Sequence, residues 1–259
     1  MEVPLLAVCC SFYQDVNSLE RMLDSVVFNL PMRYCTCLMI DGRYRGYEDK
    51  EALSTDGSRE LVLDYQKKYG KERIQLWDKP NEHERFKRDY YLRLASQQQI
   101  PFVCICDSDE WLDCKSPLSL LDEIRAIHQA WLDRESYTEQ YPPIAGIEKV
   151  PRISNVHMIN CVDKDNDGYI VNAVQRPRLW YRPEDMHYTT KHYYWVSKQV
   201  PEASEGIEGN KRVLAQTAVG MKSFVIHNLQ MFHSHDMRSE DRERKRIIYE
   251  REKLPRLES

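Results

Sequence analysis

The sequence predicts an α/β fold. Its first half reads as a doubly wound, mostly parallel sheet of Rossmann-like form, followed by a mixed antiparallel half and a C-terminal helix. Three observations predict this. Short, continuously apolar runs recur at 4–12, 34–42, 73–78 and 101–107, the signature of strands buried on both faces. Stretches with helical apolar spacing separate them, giving β-α-β-α-β-α-β. Beyond residue 115 the apolar residues alternate with polar ones, as in half-buried antiparallel strands.

The elements follow in order. "PLLAVCCSF" (4–12) is the first strand. "VNSLERMLDSVVFNL" (16–30) carries apolar residues at 19, 22, 23, 26, 27 and 30, a helical stripe with Asn17 or Ser18 as cap. "YCTCLMIDG" (34–42) is a second strand. "SRELVLDYQKKYG" (58–70) is a helix opened by Ser58 and closed by Gly70. "RIQLWD" (73–78), "NEHERFKRDYYLRLASQQ" (81–98) and "PFVCICD" (101–107) are strand, helix and strand. A helix over 116–135 has Pro117 in its first turn. "AGIEKV", "NVHMINCV", "YIVNAV" and "PRLWYR" read as four antiparallel strands between 144 and 182. The segment 183–220 has no clear pattern, 223–232 is a last strand, and the tail from 238 is a highly charged helix.

Composition narrows the function. With 259 residues, 42% hydrophobic and 30% charged, the chain is globular and can bury a large core. A net charge of −4 gives no global attraction to nucleic acid or anionic membranes. No apolar run has the length of a membrane span, and "MEVPLLAVCCSFYQD" lacks the basic start of a signal peptide. None of the eight cysteines stands in C-x-x-C spacing, and six lie in strand-like runs, which predicts reduced core thiols and a cytoplasmic location.

The strongest chemical signal is "CICDSDEWLD", where a buried strand runs into Asp107, Asp109 and Glu110. In open α/β sheets, ligands bind beyond the carboxyl ends of the strands. Carboxylates at i and i+2 leaving a strand can share a hard cation. The other reading is acids at a helix start, favoured there by capping and the macrodipole. Taken together and in order, "LLAVCCSFYQDVNSLERMLDSV", "CLMIDG", "STDGSRELVLDY", "ERFKRDYYLRLA", "CICDSDEWL", "RPRLWYR" and "FHSHDMRSEDRERKRIIY" resemble a GT-A-fold glycosyltransferase, most similar to the family 2-like nucleotide-diphospho-sugar transferases.

The resemblance implies one GT-A-like domain over 1–259, with 1–115 binding the nucleotide sugar and 116–259 forming the acceptor side and C-terminal helix. It implies a donor nucleotide-diphosphate sugar, a UDP-sugar by preference, and a divalent cation, Mn²⁺ or Mg²⁺. Ser11, Phe12 and Tyr13 would cradle base and ribose, Asp41 would contact the base, and Lys87 and Arg88 would face the nucleotide. Asp107 would meet ribose and metal, Asp109 the metal, with His233 or His235 completing the site. His192, Tyr193 and Trp195 fall on the acceptor side. Glu205 and Glu208, with Glu202 nearby, are the candidates for a general base. Where one subgroup carries His-Glu, this chain has His192-Tyr193, a departure at the place where the base is expected.

The chemistry stands beside the resemblance. A departing diphosphate carries charge that a hard cation with oxygen ligands can neutralise, helped by basic side chains. Nucleotidyl transfer is an alternative on a similar sheet, but "CSFYQD" after the first strand has no glycine for close approach to a triphosphate. A non-catalytic nucleotide-sugar-binding module is the second alternative. The acceptor is a glycan, a small molecule or a modified nucleic-acid base, the last without support from net charge.

Other motifs are weaker. "DKDNDGYIVNAV" (163–174) begins like a calcium loop, but position twelve is Val174 rather than Glu and its flanks read as strands, so it is a hairpin turn on Asn166-Asp167-Gly168. His233, His235 and His227 are metal candidates or ordinary packing histidines. The aromatic stretch around His187 and His192 lines an acceptor or packs in the core. The tail's mixed charges read as a solvated helix with i,i+4 pairs, or as a contact for a polyanionic acceptor.

Overall fold

The computed structural model describes residues 3–140, 152–153, 156–165, 169–188, 195–197, 221–222 and 224–234. The first half runs β1 (Leu6–Phe12), α1 (Val16–Asn29), β2 (Cys35–Asp41), α2 (Ser58–Tyr69), β3 (Ile74–Asp78), α3 (Glu84–Gln97) and β4 (Phe102–Ile105). The second half has β5 (Glu110–Cys114), α4 (Pro117–Gln140), β6 (Arg152–Ile153), β7 (Val156–Lys164), β8 (Ile170–Tyr181), β9 (Met186–Tyr188), β10 (Trp195–Ser197), β11 (Met221–Lys222) and β12 (Val225–Ser234).

Eight strands form one sheet in the order β3-β2-β1-β4-β8-β7-β12-β5. β3, β2, β1 and β4 are parallel throughout. β8 pairs antiparallel with both β4 and β7, β12 runs parallel to β7, and β5 closes the sheet antiparallel to β12. No helix among the described residues is long and apolar enough to cross a membrane.

The strand sequences explain the layering. Alternate residues of β1 serve opposite cores: Leu6, Val8, Cys10 and Phe12 pack with α1, α2 and α4, while Ala7 and Cys9 pack with α3 and β9. The C-x-C pairs behave as expected, with Cys35, Cys37, Cys104 and Cys106 all in the first core. All eight cysteines are free thiols. In α1 the buried Leu19, Met22, Leu23 and Val26 recur at helical spacing. Each such side chain contributes about 1.5–3 kcal/mol when removed from water. Gly70 closes α2 as expected, at φ 99° with its N–H on Gln66 O.

Three local expectations are corrected. Neither Asn17 nor Ser18 caps α1. The Val16 N–H donates to Asp56 Oδ2 at 3.0 Å instead, and Asp56 Oδ1 also accepts from the N–H and hydroxyl of Ser58. One distant acid thus serves the starts of two helices, a tertiary cap that local sequence cannot reveal. No helix begins at Asp107–Glu110. Glu110 opens β5, whose partner β12 lies far away in sequence. "YIVNAV" and "PRLWYR" are one continuous strand, β8, because Pro177 is accommodated at a register shift opposite Met158.

Candidate functional site

The sheet order gathers the chemistry at one edge. β1 and β2 finish in register, Phe12 opposite Asp41, and the chain leaves β4 through Cys106 into Asp107. β8, antiparallel to β4 with Leu179 opposite Cys104, carries Arg178 toward Asp107. β12, between β7 and β5, sets His233 opposite Asp163 on one side and Glu110 on the other.

Asp107 sits in a clamp of two arginines. Arg88 donates to Oδ1 at 2.6 Å, and Arg178 reaches Oδ2 at 3.3 Å. Arg178 also bonds Glu110 Oε1, while Glu110 Oε2 accepts the backbone N–H of Asp107 at 2.8 Å. Arg88 is anchored a turn back by Glu84. The Asp107 side chain remains 32% exposed, whereas that of Glu110 is 3% exposed. Burial pushes the Glu110 carboxyl up toward about 7, against the pull of Arg178. Burial opposes charge on Arg178, but Glu110 and Asp107 outweigh it and hold the guanidinium above its usual value.

Asp109 points elsewhere. Its Oδ2 lies 3.3 Å from His233 Nε2, while Asp163 Oδ1 faces the other ring nitrogen, Nδ1, at 3.4 Å. The bond to Asp109 raises His233 above the usual histidine range. Asp163 is held in turn by Arg176 at 2.9 Å and Asn172 at 3.0 Å. An ion bound at about 2.0–2.2 Å sets neighbouring ligands roughly 3 Å apart, so the Asp109–His233 spacing fits two cis ligands of one cation. Both oxygens of Asp107 are taken by arginines, and the described residues contain no cluster of three or more ligands. A cation held by this pair would take its remaining ligands from water or substrate.

The nucleotide-side residues are placed as follows. Ser11 is buried, its hydroxyl 3.3 Å from that of Tyr44, which also donates to Ser11 O. The Phe12 ring is in the core, and Tyr13 is half-buried with its hydroxyl on Glu51 O at 2.7 Å. Asp41 is fully buried, accepting from the N–H and hydroxyl of Ser54 and from Arg59. It ties down the loop that follows β2. Lys87 is 0% exposed, its ammonium on Gly42 O and 4.0 Å from the centre of the Tyr44 ring. Burial lowers it to about 7. In this conformation Arg88, rather than Lys87, reaches the Asp107 edge.

His227 is exposed and lines a separate cavity of about 330 Å³ with Lys115, Asn160, Gln175 and Gln230. That cavity includes no residue of the Asp107–Asp109–His233 edge. β7 and β8 form the antiparallel hairpin expected around 163–170, although its tip, 166–168, lies outside the described residues. Trp195 stands in β10 opposite Tyr188. His235, His192, Tyr193, Glu202, Glu205 and Glu208 also lie outside the described residues, as does the charged tail.

Sequence reasoning assigns neither Arg178 nor Asp163 to this edge, and it names Glu110 beside Asp107 and Asp109 without its partner Arg178. The available signal for Arg178 was an arginine immediately before the buried run Leu179–Tyr181. Asp163 was hidden by its resemblance to the first ligand of a calcium loop.

A scan against protein-family models and a search of curated proteins found no match. Solved structures do match. S. aureus TarS 1-349 in complex with UDP-GlcNAc aligns at 12% identity and TM-score 0.50, covering 90% of this chain and 59% of that one. The mannosyltransferase PcManGT from Pyrobaculum calidifontis, in complex with GDP-Man and Mn²⁺, aligns at 14% identity and TM-score 0.47, covering 93% and 61%. This chain therefore spans about three-fifths of the length of these neighbours. At such identities the first likeness speaks to fold alone, and it agrees with the sheet order and layering: the chain has a mixed α/β, GT-A-like fold.

Proposed function

We propose that the chain is a metal-dependent glycosyltransferase that moves a sugar from a nucleotide-diphosphate sugar to a hydroxyl acceptor. One observation carries this reading. Asp109 and His233, from opposite halves of the chain, converge at 3.3 Å beside an Asp107 clamped by two arginines, at the carboxyl end of the fourth strand. A strand end in an open α/β sheet is where ligands bind, and this one offers a ligand pair beside two arginines held in place by carboxylates.

The roles follow from the geometry. Asp109 Oδ2 and His233 Nε2 would hold a divalent cation, which when bound would neutralise charge on a donor diphosphate. Arg88 and Arg178 fix the direction of Asp107, leaving its exposed side toward a ribose. The half-buried Tyr13 and Tyr44 offer aromatic faces beside Ser11, suited to a nucleobase. Asp41 and Lys87 support the loop carrying Tyr44 from beneath. A UDP-sugar is the favoured donor, supported by the TarS likeness. Glu205 or Glu208 is proposed as the base that takes the acceptor proton, and His192, Tyr193 and Trp195 as the acceptor side.

The test is hydrolysis of nucleotide sugars without acceptor, followed by release of free sugar. The reading expects Mn²⁺- or Mg²⁺-dependent turnover of at least one donor, lost in Asp109→Ala. Donor binding without turnover, with or without a range of acceptors, would instead favour a non-catalytic binding module.

A further inference from the structure

The acid that opens "DKDND" has a place in the structure that its calcium-like spacing does not suggest. Asp163 lies on β7, directly across the parallel β7–β12 pairing from His233, with a side chain 6% exposed. Its Oδ1 faces His233 Nδ1 at 3.4 Å, while Nε2, at the other end of the ring, faces Asp109 at 3.3 Å. The two nitrogens of an imidazole point in divergent directions, so Asp163 and an ion on Nε2 stand on opposite sides of the ring. Asp163 cannot double as a ligand there. Arg176 contacts both its oxygens, at 3.2 and 2.9 Å, and Asn172 donates to Oδ2 at 3.0 Å. These partners fix the carboxylate before any ligand arrives.

We propose that Asp163 is the positioning residue for His233, accepting the Nδ1 proton so that the bare Nε2 is aimed at a cation shared with Asp109. The proposal rests on the metal reading above and adds a carboxylate–histidine–metal relay built across two neighbouring strands. Such partners set both the tautomer and the ring orientation of a metal-bound histidine, and removing one typically costs 10–100-fold in metal affinity. At 3.4 Å the Nδ1 and Asp163 Oδ1 atoms are within reach but not aligned as a hydrogen bond; a small rotation of the ring would align them, and an ion on Nε2 would take the place of a proton released to solvent. The strand register explains why an acid stands at 163: the neighbouring positions on β7, 162 and 164, put their side chains on the opposite face of the sheet.

The test is Mn²⁺ titration followed by electron paramagnetic resonance on the full chain. The variants are Asp163→Ala, Asp163→Asn, His233→Ala and the Asp163→Ala/His233→Ala double, with circular dichroism melts to confirm folding. Asp163→Ala is expected to weaken Mn²⁺ binding about 10–100-fold. Asp163→Asn, whose amide oxygen can still accept from Nδ1, should recover part of the loss. In the His233→Ala background the alanine at 163 should cost nothing further, because Asp163 acts through that ring. Histidine ¹⁵N spectra with Zn²⁺ as a diamagnetic stand-in should show the proton of His233 on Nδ1. Unchanged Mn²⁺ affinity in Asp163→Ala, an equal loss in both backgrounds, or a proton on Nε2 would overturn the proposal while leaving the metal reading intact. If the wild type binds no Mn²⁺, both fall.

Discussion

Arg178→Met is the sharpest perturbation of the clamp. Its guanidinium has two carboxylate partners in different environments. The Asp107 side chain is about a third exposed, and that carboxylate keeps Arg88 at 2.6 Å, so little stability depends on this half of the contact. The Glu110 side chain is 3% exposed, and Arg178 is its cationic partner. Removing one partner of a buried pair typically costs about 3–5 kcal/mol, because the remaining carboxyl must either stay charged in low dielectric or take up a proton. Met replaces much of the aliphatic volume, so the loss should lie near the lower end, about 3 kcal/mol. Glu110→Gln in the same background removes that carboxyl and should restore at least half of the loss, giving a large coupling energy in the double-mutant cycle. Urea denaturation at pH 7.5 measures this, provided the m-values agree between variants. A loss below about 1 kcal/mol for Arg178→Met, or simple additivity with Glu110→Gln, would refute the clamp as a buried, coupled unit.

Three further outcomes are expected. His157 is fully buried, accepts the Phe224 N–H on Nδ1 at 3.2 Å and is lowered to about 3 by burial. The unfolded chain therefore binds the extra proton between about pH 6.5 and 3, and His157 should remove up to ~1.4 kcal/mol of stability per pH unit on acidification. Urea midpoints between pH 7 and 4.5 should fall less steeply in His157→Gln, and parallel slopes would count against the assignment. Gly42→Ala places a methyl 2.7 Å from Pro80 N and 2.8 Å from Lys79 C at φ 138°, so the variant should lose about 1–3 kcal/mol in the same assay. Asp56→Ala removes the cap of α1 and the brace of Ser58 together. It should cost about 1–2 kcal/mol, and hydrogen exchange should rise first at the starts of α1 and α2.

The first half of the fold was legible because its strands are buried on both faces and its helices carry clear stripes, as in Leu19, Met22, Leu23 and Val26. The Asp107–Asp109 edge was legible for a topological reason, its position after the fourth strand. What escaped was set by pairing between distant segments. Nothing local in "DSDEWLDC" says that Glu110 opens an antiparallel strand, because its partner is β12. The same pairing separates the roles of the two aspartates, which spacing alone leaves equivalent: Asp107 meets Arg88 and Arg178, while Asp109 meets His233. Lys87 and Arg88 are adjacent in sequence yet diverge by one helical step, one onto Gly42 and Tyr44 and the other onto Asp107. The hairpin at 163–170 was legible from its strand-like flanks, but the role of Asp163 was not, because it depends on the pairing of β7 with the distant β12.

The most direct test of the central claim is a thermal-shift panel of UDP-, GDP-, ADP- and dTDP-sugars, each with and without Mn²⁺, on the wild type and on Asp109→Ala. Ligand at a hundredfold excess over its Kd stabilises by about 2.7 kcal/mol, a shift of a few degrees for a chain of this size. The account expects at least one nucleotide sugar to raise the melting temperature only when Mn²⁺ is present, with that rise abolished in Asp109→Ala. Stabilisation by no donor, or by a donor equally with and without metal and in both proteins, would contradict it.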